Sequence, residues 1–217
     1  MNVINLPISI GEAMDKLTIL DIKKDNIKDI RLSDIETEYN LLYEHLQQYL
    51  NQHYYYYKIM KNVNLIIWNL MDVLRKPNAN LSDEEYLKIC KKTIELNDLR
   101  FRIKNKINKA SCSFLREQKG YDFTRIVIDI NEHILNLEEI TSIIHYISFF
   151  YDEIVIVSNS VCEYLFNIDN IVFVSETKYD INYSLKHKTY QDSLLETKID
   201  LQLFNLVHSK QHNNINL

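Results

Sequence analysis

The stretch LPISIGEAMDKLTIL, residues 5–19, sets one of the chain's two glycines between a serine and an acid. Ser9-Ile10-Gly11-Glu12 is either a small catalytic loop or the way a helix begins. Local physics favours the helix. A serine at the N-cap accepts from the amide three residues on, and a glutamate there returns a bond to the N-cap amide. The same spacing recurs at Ser33 with Glu36 and at Ser82 with Glu85, each ahead of a run with helical apolar period. These three starts predict helices over residues 10–29, 34–74 and 83–116, the last stopping at Gly120. Short links between long helices make antiparallel neighbours, so the first half is expected to be an elongated antiparallel three-helix bundle. Unbroken, its second helix would be about 60 Å long, with a bend expected near Tyr54-Tyr55-Tyr56-Tyr57.

After Gly120 the texture changes. RIVIDI (125–130), EIVIVS (153–158) and NIVFVS (170–175) are short β-branched runs, apolar enough to be buried on both faces. A helical pattern opened by Asn136 separates the first two, and a shorter one over 161–166 separates the others. Strands alternating with helices imply a parallel sheet, hence a small Rossmann-like α/β half-domain. The overall fold class is therefore mixed α/β, with a helical domain over 1–119 and an α/β domain over 120–217. That second domain is expected to close on a C-terminal helix over 190–207 and a frayed tail.

Composition narrows the function. The chain has 217 residues, 46% of them hydrophobic, which is enough for a core without disulfides or metal. Its net charge of −5 lacks the positive excess on which phosphate-backbone binding depends, so nucleic acid is not an expected partner. Cys90, Cys112 and Cys162 form no C-x-x-C pair, and His208 with His212 lack a third ligand, so no metal or other cofactor is expected. The greasiest region, residues 140–157, carries His145, Asp152 and Glu153 and falls short of a membrane span. With no basic-then-apolar leader at the N-terminus, a cytoplasmic protein is expected, in the host cytoplasm if the source is viral.

Two sets of side chains could carry a site. Open parallel sheets bind ligands beyond the carboxyl ends of their strands, where this chain has Asp129, Asn131, Ser158, Asn159, Ser175 and Glu176. No strand is followed by a glycine-rich phosphate loop, so a bound nucleotide would depend on side chains or on another chain. The segment RFRIKNKINK, 100–109, sets Arg100 and Lys104 on one shoulder of an apolar stripe and Arg102, Lys106 and Lys109 on the other. Long cations in that position usually cover the seam with their stems, although phosphate or an acidic partner could also bind them.

The opening PISIGEAMDKLTILDIKKDNIKD resembles the start of an uncharacterised protein family of bacteria and giant DNA viruses. VNLIIWNLMDVLR (63–75) and LNDLRFRIKNKIN (96–108) are similar to later blocks of that family, and the likeness runs from residue 7 to about 121. The matched positions include Glu12, Asp15, Lys16, Asn64, Trp68, Asp72, Arg75, Asn97, Asp98 and Arg100. Asn64, Trp68, Asp72 and Arg75 share one helical face, expected to meet the first helix near Asp15 and Lys16 either as a sugar or anion site or as a buried network fixing register. Bacterial members of the family accompany glycosyltransferases and surface-polysaccharide enzymes. The stretch FFYDEIVIVSNSVCEYLFNIDNIVFVSE (149–176) separately resembles part of a two-domain glycosyltransferase. The resemblances imply an accessory or interaction protein of glycan biosynthesis, non-catalytic alone, with a protein partner or a homo-oligomer and a sugar-related small molecule as its expected company. The alternatives are a reduced or oligomer-completed glycosyltransferase and a purely structural helical protein.

Overall fold

The computed structural model describes residues 6–76, 81–120, 124–129, 137–158, 170–174 and 183–184. The chain divides into two compact units, Met1–Lys119 and Gly120–Leu217. The first is helical and the second is built on a small parallel sheet, so the fold is mixed α/β with helix predominant. Among the described residues, no helix is long and apolar enough to cross a membrane.

The helical unit consists of α1 (Ile10–Asn26), α2 (Leu32–Arg75) and α3 (Asp83–Ala110). Ser9 is extended and its Oγ accepts from the Glu12 amide at 3.1 Å, which starts α1. The helix ends three residues before the expected limit because Asn26 folds its own amide onto the Ile22 carbonyl and Ile27 turns extended. The expected cap at Ser33 does not form. Asp29 instead accepts from the Arg31 amide and guanidinium, which lowers its carboxyl to about 2 and begins the turn ahead of Leu32. Ser33 is thus already inside α2, where its hydroxyl caps nothing.

α2 is not the straight rod that its length allows. His53 has non-helical backbone angles of φ −125° and ψ 27°, next to the four tyrosines. A kink thus divides α2 at His53; after it the Tyr57 hydroxyl donates to Asp21 of α1 at 2.9 Å, and before it the Tyr39 ring lies under the Lys24 ammonium of α1. Met14, Leu17 and Leu20 of α1, Ile59, Met60 and Val63 of α2, and Leu99, Ile103 and Ile107 of α3 are at most 2% exposed and fill the core.

In the second unit, β1 (Arg125–Asp129), β2 (Glu153–Val157), β3 (Ile171–Val174) and β4 (Tyr183–Ser184) form one parallel sheet in the order β3-β2-β1-β4, with α4 (Leu137–Ile147) between β1 and β2 in sequence. Alternation along the strands sorts side chains by shape. Ile126, Ile128, Ile154 and Ile156 form a core with Ile143, Ile144 and Ile147 of α4, while Val127, Val155 and Val157 cluster on the opposite face. At the entry edge, Asp152 accepts from the amide and hydroxyl of Thr124, and the Asn170 side-chain amide donates to the Ser148 and Tyr151 carbonyls. The expected helices over 161–166 and 190–207 lie outside the described residues.

α3 stops at Ala110, not near Arg116, and Gly120 plays no part in its end. The Ser113 amide donates to the Asn108 carbonyl and the Cys112 amide to that of Lys109, the paired bonds of a Schellman turn. Cys112 takes its left-handed position, at φ 52°. A β-carbon is strained there, so Cys112→Gly is expected to stabilise the helical unit by about 1 kcal/mol, read as a higher urea midpoint of the helical circular-dichroism signal.

Candidate functional site

The densest set of polar groups in the helical unit lies where α1 meets α3. Gly11 is there for space: a β-carbon on it would stand 2.3 Å from the Lys104 carbonyl oxygen, and no side chain fits. Its amide donates to Asn108 Oδ1 at 2.6 Å, and the Ile10 amide donates to Ser113 Oγ at 3.2 Å. The left-handed turn at Cys112 is what brings Ser113 back to that position. With the Glu12 amide on Ser9, the free amides at the start of α1 are taken up by protein oxygens.

One turn further along, Asp15 is 1% exposed and still surrounded by donors. Arg100 grips it with Nε at 2.8 Å from Oδ1 and Nη2 at 2.6 Å from Oδ2, a forked pairing that an ammonium could not reproduce. Asn64 Nδ2 donates to Asp15 Oδ1 and to Thr18 Oγ1, both at 2.8 Å, which ties α2 into the same point. Asn97 supports the guanidinium from the other side at 3.4 Å. The bond to Asp15 outweighs the cost of burial and holds the Arg100 guanidinium above its ordinary pKa. Lys104 is arranged similarly. Burial opposes its charge, yet the carboxylates of Glu117 and of Glu12, the latter at 2.8 Å, outweigh it and raise the ammonium above its usual range.

The matched face of α2 is split by this arrangement. Asn64 reaches Asp15, but Trp68 is only half-buried, and Asp72 and Arg75 are exposed. Helical spacing does put the four on one face, but Asp72 lies about 12 Å along the axis from Asn64, past the point where α1 crosses. Lys16 is exposed and pairs with Glu38 at 2.6 Å. Asp98 stands 3.9 Å from Lys119. Thr18, Asn108, Ser113 and Glu117 complete the cluster; Thr18 and Asn108 lie in the matched blocks, while Ser113 and Glu117 have no sequence signal of their own and act through tertiary contact.

In the sheet unit, Asp129 ends β1 opposite Val157 of β2 and Ser184 of β4, and the buried Ser158 follows β2 directly. The two candidates and Ser184 therefore share the carboxyl edge. Asn131, Asn159, Ser175 and Glu176 lie outside the described residues. Among the described residues, no group of three or more His, Cys, Asp or Glu side chains could hold a metal ion.

A family model matches residues 4–128, from ahead of the α1 cap through the whole α1–α3 cluster and into β1. The chain belongs to the family of unknown function DUF6165. No curated protein and no solved structure matches it. Every member of the buried cluster falls inside the family's region, as does the turn at Cys112, whereas most of the sheet lies beyond it.

The two most buried charges of the cluster are paired: Asp15 with Arg100, and Lys104 with Glu12 and Glu117. Arg100→Met would strand the Asp15 carboxylate in the core and is expected to cost about 3–5 kcal/mol in urea unfolding. Gly11→Ala should cost more than about 2 kcal/mol despite the better helix propensity of alanine, because the helices must separate. Arg75→Met, on the exposed part of the same family block, should stay within about 0.5 kcal/mol.

Proposed function

We propose that this chain is a non-catalytic accessory protein of glycan or surface-polysaccharide biosynthesis, acting by docking a partner through its helical unit. The observation that supports the non-catalytic part is the burial of the central carboxylate: Asp15 is 1% exposed and held by Arg100 and Asn64 together. A general acid or base must reach the proton it moves, and this carboxylate reaches only its own partners. The glycan setting rests on the company that bacterial proteins of similar sequence keep, an associational support rather than a chemical one. In this proposal the helices act as a bundle, with α2 contributing two arms, and the second unit is a Rossmann-like half.

One feature favours a second role for the sheet. The parallel order β3-β2-β1-β4 follows the 3-2-1-4 portion of a doubly wound sheet, whose ligands lie beyond the strand ends where the order reverses, here at the carboxyl ends of β1 and β4. No glycine-rich phosphate loop follows any of these strands in the sequence, so a sugar-related ligand there would depend on side chains.

Incubation of the purified chain with a panel of nucleotide sugars, following donor hydrolysis and thermal shift together, tests both roles. The expected result is no turnover with any donor. A ligand-induced shift without turnover supports the binding role of the sheet. Turnover that disappears with Asp129→Asn or Glu176→Gln overturns the accessory proposal in favour of an oligomer-completed transferase.

A further inference from the structure

Residues 111–119 run back from the end of α3 as a strap across the start of α1. None of them is buried, and Phe114 is 98% exposed. The strap is attached by polar contacts: Ser113 Oγ accepts from the Ile10 amide, the Glu117 carboxylate meets the Lys104 ammonium, and Lys119 stands 3.9 Å from Asp98. Its first turn depends on Cys112 at φ 52°, a conformation that a residue with a β-carbon holds under strain. Two polar atoms near the end of α3 are also left unanswered. Asn108 is 0% exposed, and while its Oδ1 accepts from the Gly11 amide, its Nδ2 has no partner. Asn105 Oδ1, three residues back on the same helix, is likewise shut off from water without a partner. A buried donor or acceptor left alone is costly, and one of each kind side by side marks a place suited to a group that carries both.

We propose that the start of α1, once the strap lifts, binds a small hydroxy acid of the sugar-acid kind, with Ser113 and Glu117 as the internal occupants that the ligand displaces. The donors are already gathered. Asn108 brings its Nδ2 to the Ile10–Gly11 amides by holding the second of them at 2.6 Å, and the Lys104 ammonium reaches the same turn through Glu12 at 2.8 Å. They lie at the positive end of a 17-residue helix, where an anion is favoured. Charge selects a carboxylate. Lys104 faces two of them, so exchanging Glu117 for a ligand carboxylate leaves the balance unchanged, whereas a phosphate dianion would add to a negative excess. Glu117 is the one that yields, because it rides on the strap while Glu12 belongs to the first turn of α1. Asn105 Oδ1 then takes a donor near that carboxylate, which a hydroxyl of the sugar acid supplies.

This inference concerns α1, α3 and the strap alone; it goes beyond the accessory role, and its failure would leave that role as it stands. The test is a saturation-transfer NMR titration of the full chain with sodium D-glucuronate, set against acetate, glucose and inorganic phosphate at matched ionic strength, together with the rate of tryptic cleavage after Arg116 in the strap. Glucuronate is expected to bind with a dissociation constant of about 1 mM and to speed cleavage after Arg116, whereas glucose, which lacks the carboxylate, does neither. Glu117→Gln removes the internal competitor and should tighten glucuronate about 10-fold, with fast cleavage after Arg116 before any ligand is added. Asn105→Ala deletes an atom that bonds to nothing under the closed strap, so the thermal midpoint should hold while glucuronate weakens about 10-fold and acetate is unaffected. A role in packing alone would not separate the two ligands, and Asn105→Ala carries the test if Glu117→Gln lowers helical circular dichroism. No glucuronate binding in the wild-type chain and in Glu117→Gln alike overturns the inference. So does binding that leaves cleavage after Arg116 unchanged, phosphate that binds more tightly than glucuronate, or acetate that equals it.

Discussion

The contact between Asp15 and Arg100 is the constraint around which the helical unit is arranged. A carboxylate so completely removed from water is tolerable only when its oxygens are occupied, and the forked guanidinium with the Asn64 amide occupies them. The contact also fixes register. Gly11 meets Asn108, Glu12 meets Lys104, and Asp15 meets Arg100, so positions advancing along α1 engage positions stepping back along α3. A slip of one turn in one sense would press Asp15 against Leu96, and in the other it would carry Glu12 from Lys104 to Asn108. Apolar side chains alone would accept either, since Leu99, Ile103 and Ile107 repeat at nearly the same spacing. The charges remove that ambiguity, and the absent side chain at Gly11 lets the helices approach closely enough for the short bonds to form.

How much of this was legible in the sequence depended on whether the determinant was local. The caps at Ser9 and Ser82 and the three β-branched strands could be read directly, because the chain signals them within four or five residues. Ser33 carried the same signal and failed, because the Asp29 turn with Arg31 began the helix first. The end of α3 was misplaced for the converse reason: a glycine is the usual punctuation, but Cys112 takes the left-handed position where Ser113 must return to α1. β4 is two residues long and follows no apolar run, so only its pairing with β1 defines it.

The candidate site shows the same division. Helical periodicity placed Asn64, Trp68, Asp72 and Arg75 on a common face, which is a statement about α2 alone. Only the path of α1 decides that the face is buried at Asn64 and open at Asp72. Lys104 was expected to cover an apolar seam with its stem, and its neighbours Ile103 and Ile107 are indeed buried. Its ammonium, however, is paired with Glu12 and Glu117, which lie 92 residues before it and 13 after it. No spacing rule links positions so unequally placed.

A comparison of the two serine caps shows why the ends of this unit differ. At Ser82 the box closes fully: Oγ accepts from the Glu85 amide, and Glu85 returns to the Ser82 amide at 2.9 Å, which lowers its carboxyl below the usual range. At Ser9 only the first half forms, because Glu12 is drawn away to Lys104. The start of α1 has no need of its own glutamate, since Asn108 and Ser113 of the neighbouring segment satisfy the amides ahead of it. The start of α3 is held by its own sequence, with Asp83, Glu84 and Glu85 adding favourable charge at the positive end of the helix dipole. Local chemistry is thus complete where the core is absent and is released to tertiary contacts where the core is present. The start of α3 therefore stands as a helix on its own cap and charges, with Tyr86, Leu87 and Ile94 exposed beside it.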